Sequence, residues 1–374
     1  MPFGISGLGQ RRNDNSESYG EENVSGNKMM KTARLYGPCR IVMEEERIPE
    51  IAKTQVLLKI LCFGVCGSDM QIYHGKHKAV TMPVVMGHEM AAAVVKTGAS
   101  VRQFKEGDKV TVEPQIMCGT CYPCLTGRFN VCENLKVMGV HVDGCNCEYY
   151  AVEEKYLHHI PSDMEPEKAA LAEPLAVAVG CVGRSRRIRG GNVLVVGAGT
   201  IGNLVLQAAK AAGAERILAA DRNEERLHYA KVCGADDTAN TETVDLKTAV
   251  EECFGVRKAD VIIDCAAVPA VFKQILHAAR PDSDIILTGN YKEPVDFEIP
   301  LIQRREINLL GHMMYVREDF ETAIRLLYEG KIEISKTVSQ RFPFSRYAQA
   351  LEFADRNPEK VMKMMIYMDE RKEG

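Results

Sequence analysis

The 374-residue sequence has no basic excess, no long apolar run and no tryptophan. Lys and Arg (47) are slightly outnumbered by Asp and Glu (51), giving a formal net charge of −4. A nucleic-acid footprint would need the opposite balance. A bilayer-crossing helix needs about 20 consecutive apolar residues, and no stretch approaches that, so no membrane partner is expected. Residues 1–28 are rich in Asn, Glu, Ser and Gly and lack the apolar core of a secretory signal; they are expected to form a disordered extension. No structural meaning attaches to the missing tryptophan. Cysteine, by contrast, is plentiful at 13. A secreted disulfide scaffold would be short and Cys-dense, which this chain is not. Its thiols fit a reducing, cytoplasmic setting in which some of them bind metal.

The length is ample for two or three domains. The first part, to about Val152, carries short β-type runs broken by Gly, Pro and charge. VLLKILCFGVC (Val56 to Cys66), EMAAAVVKTG (Glu89 to Gly98) and DKVTVEP (Asp108 to Pro114) are examples. Apolar clusters of this length between turn residues predict strands, and hence an irregular, mostly β domain. The rhythm changes after Glu173. Predicted strands at Asn192 to Gly199, Arg216 to Asp221, Ala259 to Ala266 and Asp284 to Asn290 alternate with predicted helices at Ile201 to Ala212, Glu224 to Cys233 and Val271 to Ala279. Such alternation implies βαβ units and a parallel sheet. The fold class is therefore α/β, a doubly wound parallel-sheet domain beside a mostly β one. The expected divisions are 29–175, 176–312 and a segment 313–374 that returns to the first domain.

Gly197-Ala198-Gly199-Thr200-Ile201-Gly202 matches G-x-G-x-x-G. The pattern alone is weak, but here a β run precedes it, an amphipathic helix follows, and Asp221 ends the next strand. Each part has a role: a tight turn, close approach of backbone to a pyrophosphate, helix packed on strand, and free N–H groups at a helix start. Asp221 can accept hydrogen bonds from both ribose hydroxyls and repels a 2′-phosphate, which selects NAD. Arg222 and Arg226 are further candidate cofactor contacts. The alternative is an α/β turn without a ligand.

Two residue sets could hold metal. Cys118, Cys121, Cys124 and Cys132 form C-x2-C-x2-C-x7-C. Four thiolates in one short loop can close a tetrahedral zinc shell with no open position, which is a structural site. The second set is dispersed: Cys66 in GVCGSD, His88 and Glu89 in GHE, and Glu173 in AEPL. Spacing alone does not join these four, since a lone buried Cys is usually a small apolar group and a lone His or Glu a cap.

The order and spacing of C-G-S-D, GHE, the four-cysteine loop and GAGTIG resemble the zinc-containing medium-chain dehydrogenase/reductase superfamily, from about Lys31 to Tyr367. EPL at Glu173 and GVHVDG at Gly139 to Gly144 look like its sorbitol dehydrogenase branch and the bacterial L-galactonate and L-idonate 5-dehydrogenases. The resemblance implies that the mostly β part is a GroES-like catalytic domain, with the active site in the cleft beside the Rossmann domain. It implies a second, catalytic zinc on Cys66, His88 and Glu89 or Glu173. It also implies that Ser68 hydrogen-bonds the substrate oxygen and starts the proton's exit, and that Asp69 orients His88. The two carboxylates, Glu89 and Glu173, could exchange on the metal during turnover. The implied reaction removes the hydroxyl proton of a secondary alcohol and passes hydride to NAD. A homodimer or homotetramer is implied as well.

The sequence departs from the family in places. Many relatives have His where Gln71 stands, and Gln cannot shuttle a proton by ionising; His74 is the nearby substitute. Gly144-Cys145-Asn146-Cys147 replaces a common Gly-Gly-Phe stretch, and Cys145 and Cys147 have no evident role. Met314-Tyr315 stands where mammalian-type sorbitol dehydrogenases have Arg-Tyr, which puts sorbitol itself in doubt. Glu113, Tyr315, Gln71 and His74 are the residues expected to line a site for a polyol or sugar acid. Competing substrates are 2,3-butanediol, threonine or a simple alcohol, and a non-catalytic NAD-binding sensor is the alternative of another class.

Overall fold

The computed structural model describes residues 28–370. The expected disordered extension lies, but for Lys28, outside the described residues. Two large sheets organise the rest. In the first, the order is Leu157–His159, Lys109–Val112, Glu89–Thr97, Gln55–Val65, Lys363–Tyr367 and Val338–Pro343, with Tyr149–Glu153 also pairing with Gln55–Val65. Its central strand, QVLLKILCFGV, is almost wholly buried. Val and Ile in such a strand pack well on the pleated surface. The C-terminal strand therefore completes a sheet begun some three hundred residues earlier, antiparallel to Gln55–Val65.

Register in this sheet builds the site. Gly64 lies opposite Glu89, and Val65 opposite Met364. The end of the central strand thus brings Cys66, Glu89 and Lys363 together from three distant parts of the chain.

The second sheet has six parallel strands in the order Asp237–Asn240, Arg216–Asp221, Asn192–Val196, Val261–Asp264, Asp284–Leu287, Asn308–Gly311. In sequence order this is 3-2-1-4-5-6, the dinucleotide-binding arrangement, whose crevice opens where the strand order reverses. Arg216–Asp221 has the bounds expected, and the other three predicted strands are shorter than expected. Asn192–Val196 stops at Gly197, whose φ of +94° only glycine adopts readily. The edge strand Asp237–Asn240 (DTAN) was not foreseen, because its polar residues carry no β signal.

The helix Ala172–Val182 joins the two parts of the core. Its side chains are buried on nearly every side, against the helices Thr200–Ala211 and Arg317–Tyr328 and the strand Glu89–Thr97. A helix apolar all round belongs inside a protein, and Glu173 on its first turn is carried inside with it. Among the described residues, no helix is long and apolar enough to cross a membrane.

Candidate active site and metal centres

Cys66 caps the N-terminus of the short helix Gly67–Tyr73. Its backbone N–H donates to Asp69 Oδ2 at 2.8 Å, so Asp69 closes the first turn. The other carboxylate oxygen of Asp69 faces His88 Nδ1 at 3.5 Å. Asp69 and His88 are both buried, and neither of these facing atoms has another partner. A carboxylate set against one ring nitrogen fixes the imidazole and leaves the other nitrogen to bind. The ligand atoms of Cys66, His88 and Glu89 all lie within 4.8 Å of one another.

The glycines of GVHVDG serve this packing. A Cβ on Gly144 would come within 2.1 Å of the carbonyl oxygen of Gly87, the residue before His88. Cys145 and Cys147 are buried beside it, with Cys147 Sγ 3.1 Å from the Tyr149 carbonyl oxygen. The unexplained cysteines are thus small packing groups.

Charge around the three ligands is out of balance. Asp69, Glu89 and Glu173 are all buried, and Lys363 is a buried lysine that answers Glu89. Lys363 Nζ donates to both carboxylate oxygens of Glu89, at 2.7 and 2.8 Å, and to the Val65 carbonyl at 3.3 Å. Burial alone would lower the lysine's pKa, but Glu89 outweighs it and the shift is upward. Burial pushes Glu173 up to about 7, against the pull of His88 and of the Tyr315 hydroxyl, which donates to Glu173 Oε1 at 2.9 Å. His88, by contrast, is raised well above the ordinary range: burial opposes its charged form, but Asp69 and Cys66 favour it more. Buried anions in excess of cations, with a thiol, an imidazole and a carboxylate converging, fit a divalent cation.

The four cysteines also converge. Their Sγ atoms lie 4.0 Å (Cys118 to Cys124), 3.4 Å (Cys121 to Cys124) and 3.8 Å (Cys121 to Cys132) apart. A tetrahedron with Zn–S bonds of about 2.3 Å has edges of roughly 3.8 Å, so the spacing fits zinc. Backbone N–H groups of Thr120, Cys118 and Asn134 point at sulfur, at 3.4 to 3.5 Å. The Thr120 backbone and hydroxyl are the main cause that lowers Cys118 to about 5. Such donors favour the thiolate that metal binding requires.

A cavity of about 680 Å³ runs between the two sheets. Cys66, Gly67 and Lys363 line one end, and Gly197, Gly199, Thr200, Ile201, Gly202, Asp221, Arg222 and Arg226 the other. Gly199 caps the helix Thr200–Ala211. A Cβ at Gly202 would fall 1.7 Å from the Gly197 carbonyl oxygen, so only glycine allows the helix to start there. Asp221 accepts hydrogen bonds from Ala198 N at 2.7 Å and Asn223 N at 3.0 Å, which hold its carboxylate at the end of its strand.

The other sequence candidates do not share one place. Ser68 is half-buried on the first turn after Cys66. Gln71 Oε1 accepts from Lys292 Nζ of the opposite domain at 3.2 Å. Glu113 does not line the cleft: it is buried and pairs with His158 at 3.1 Å. Tyr315 is likewise buried, its hydroxyl committed to Glu173. His74 is turned away, with Nε2 2.9 Å from Asp355 and Nδ1 3.5 Å from Cys39. Glu173 is not among the groups whose ligand atoms cluster with Cys66. Sequence reasoning missed Lys363. Its signal was a lysine opening the apolar run KMMIY, since a buried lysine needs an anionic partner.

Residues 52–162 match the alcohol dehydrogenase GroES-like domain and residues 200–329 the zinc-binding dehydrogenase domain. A sorbitol dehydrogenase of Bacillus subtilis is 30% identical over 90% of this chain and 97% of its own. The L-threonine 3-dehydrogenase of Pyrococcus furiosus is 34% identical over 87% of this chain and 94% of its own. The chain belongs to the zinc-binding alcohol dehydrogenase family. A solved alcohol dehydrogenase of Escherichia coli CFT073, complexed with NADH, is 31% identical and superposes with a TM-score of 0.86 over 91% of this chain and 99% of that one. As a member of this family, with its sorbitol dehydrogenase relatives, the chain is an oxidoreductase whose cofactors are zinc and a nicotinamide dinucleotide.

Asp221→Ser is expected to raise NADP use relative to NAD by about tenfold or more, since it removes a like charge from the 2′-phosphate position. Absolute affinity for both nucleotides should fall, because Asp221 also holds Ala198 and Asn223. The ratio of kcat/KM for the two nucleotides measures this. A native protein already faster with NADP would show that Asp221 does not select.

Proposed function

We propose that this protein oxidises a secondary alcohol of a polyol or sugar acid, with NAD as acceptor. The observation that carries the reading is the cluster of Cys66, His88 and Glu89, whose Cys66 lines the same cavity as G-x-G-x-x-G and Asp221. When bound, zinc supplies the Lewis acidity that makes a hydroxyl easy to deprotonate, and NAD supplies the hydride acceptor.

Cys66, His88 and a carboxylate would hold the metal, Glu89 being the closer and Glu173 its neighbour. Asp69 holds the His88 ring. Lys363 stands between Glu89 and the dinucleotide cavity, and Tyr315 keeps Glu173 aimed inward. The Ser68 hydroxyl would accept a hydrogen bond from the substrate hydroxyl and, as that proton moves onto it, release its own to water. Gln71 cannot carry it further by ionising, so its role is to bind. It lies one helical turn beyond Ser68, on the same face, and brings the Lys292 ammonium to that face. An amide and a cation side by side favour a hydroxylated chain that ends in an anion over a short apolar alcohol.

The test is kcat/KM with NAD for sorbitol, xylitol, iditol, L-galactonate, L-idonate, 2,3-butanediol, threonine and ethanol. A polyol or aldonate should lead. Ethanol should trail by roughly 10⁴-fold, because a site built for hydroxyls leaves polar groups unpaired when they are missing. Lys292→Gln should lower kcat/KM for the aldonates about tenfold and leave neutral polyols unchanged. Ethanol or threonine in the lead would overturn the reading. The absence of any NADH formation that depends on zinc would favour a nucleotide sensor instead.

A further inference from the structure

Outside the cleft, three side chains far apart in sequence meet on the surface of the catalytic domain. The strands Met29–Gly37 and Arg40–Arg47 are joined by a tight turn through Pro38 and Cys39. A left-handed position in a tight turn usually holds Gly or Asn. Here it holds Cys39, at φ +57°. The Cys39 N–H donates to the Tyr73 carbonyl at 2.7 Å, which docks the turn on the end of the helix Gly67–Tyr73. Docked there, Cys39 Sγ lies 3.5 Å from His74 Nδ1. His74 Nε2 lies 2.9 Å from Asp355 Oδ1, on the last turn of the helix Tyr347–Arg356. The Tyr73 ring packs edge-on against the imidazole, with centroids 5.3 Å apart.

This is a nucleophile, a base within reach of it, and a carboxylate that orients the base. The carboxylate on Nε2 favours the tautomer that leaves Nδ1 free to accept the thiol proton. Of the thirteen cysteines, Cys39 is the exposed one; the other twelve are buried or half-buried. Nothing in the hydride-transfer site uses the group, and the metal ligands do not include it.

We propose that Cys39, His74 and Asp355 form a separate thiol site at which Cys39 is reversibly modified by low-molecular-weight disulfides. The thiol proton passes to His74 Nδ1, and the thiolate attacks one sulfur of the disulfide. The S–S bond breaks, and the departing thiolate takes the proton from His74, so that a mixed disulfide and one free thiol result. A second exchange with excess thiol runs the step backwards and restores Cys39.

The experiment uses the full-length, zinc-loaded protein with NAD present and glutathione disulfide as the probe, at less than one equivalent. Peptide mass mapping should find the first adduct on Cys39, formed at least about tenfold faster than on any other cysteine, since a free thiol is only a few per cent thiolate at neutral pH. Dithiothreitol should remove it. Cys39→Ser should abolish the fast phase. His74→Gln should slow it about tenfold, and Asp355→Asn, a change of a half-exposed side chain, several-fold with unchanged circular dichroism. A first adduct on another cysteine would overturn the proposal. So would wild-type rates in both His74→Gln and Asp355→Asn, which would leave Cys39 an ordinary exposed thiol.

Discussion

Cys66→Ser is expected to give a folded protein that binds about one zinc per chain instead of about two and turns over at least about a thousandfold more slowly. The two zinc contents follow from the two separate ligand clusters. Lewis-acid stabilisation of developing charge amounts to several kcal/mol, and each 1.36 kcal/mol is about tenfold in rate. The fold should survive for reasons of position. Cys66 is half-buried at a helix N-cap on the wall of the cavity, and the adjoining strand Gln55–Val65 is fixed on both sides by its neighbours. Serine is a good N-cap and leaves the backbone bond to Asp69 intact. Removal of a ligand also leaves the carboxylates of Glu89 and Glu173 with less cationic compensation, so some loss of melting temperature should accompany the loss of rate. Zinc analysis beside NADH production checks both halves. A native protein with a single zinc, retained only by the four cysteines, would refute the catalytic assignment.

How much of this site was legible in the sequence depended on whether its parts were local. The dinucleotide loop was readable because strand, glycines, helix and Asp221 follow one another, and each has a backbone reason to be where it is. The four cysteines were readable for the same reason. Cys66, His88 and Glu89 were not, since what joins them is a strand register, Gly64 against Glu89, that no spacing reveals; the family resemblance had to join them. Lys363 stayed hidden because its partner is a sequence stranger, brought near by the pairing of Val65 with Met364. His74 and Glu113 show the opposite error. Their nearness in sequence to Ser68 and to the cysteine loop suggested the cleft. The end of a short helix turned His74 outward to Asp355, and strand pairing set Glu113 inward beside His158. The alternation of strands and helices exposed the parallel sheet, whereas the edge strand Asp237–Asn240 owes its conformation to its neighbour, not to its own residues.

Cys121→Ser should do more damage to folding than Cys66→Ser, although it lies farther from the chemistry. The loop around the four cysteines has little apolar support of its own. The helix Tyr122–Leu125 buries no residue, and Tyr122 and Leu125 are 75% and 72% exposed. What orders the loop is its set of sulfur atoms, and a structural zinc held by four thiolates contributes on the order of 10 kcal/mol to the folding of small zinc domains. That is comparable with the whole stability of a typical protein. The loss should also reach the active site. Asn130 Nδ2 donates to the Met313 carbonyl at 2.7 Å, and Gln115 Nε2 to the Tyr315 carbonyl at 2.9 Å. These two bonds position the segment from which the Tyr315 hydroxyl holds Glu173. The expected outcome is therefore a protein that loses one zinc per chain, is cut by protease between about residues 117 and 133, and has reduced solubility. Turnover should fall with it, even in the fraction that stays folded and keeps the metal at Cys66. Limited proteolysis with zinc analysis of the soluble fraction is the measurement. If Cys121→Ser kept both its zinc ions and its resistance to protease, the four cysteines would not be the structural metal site that their spacing indicates.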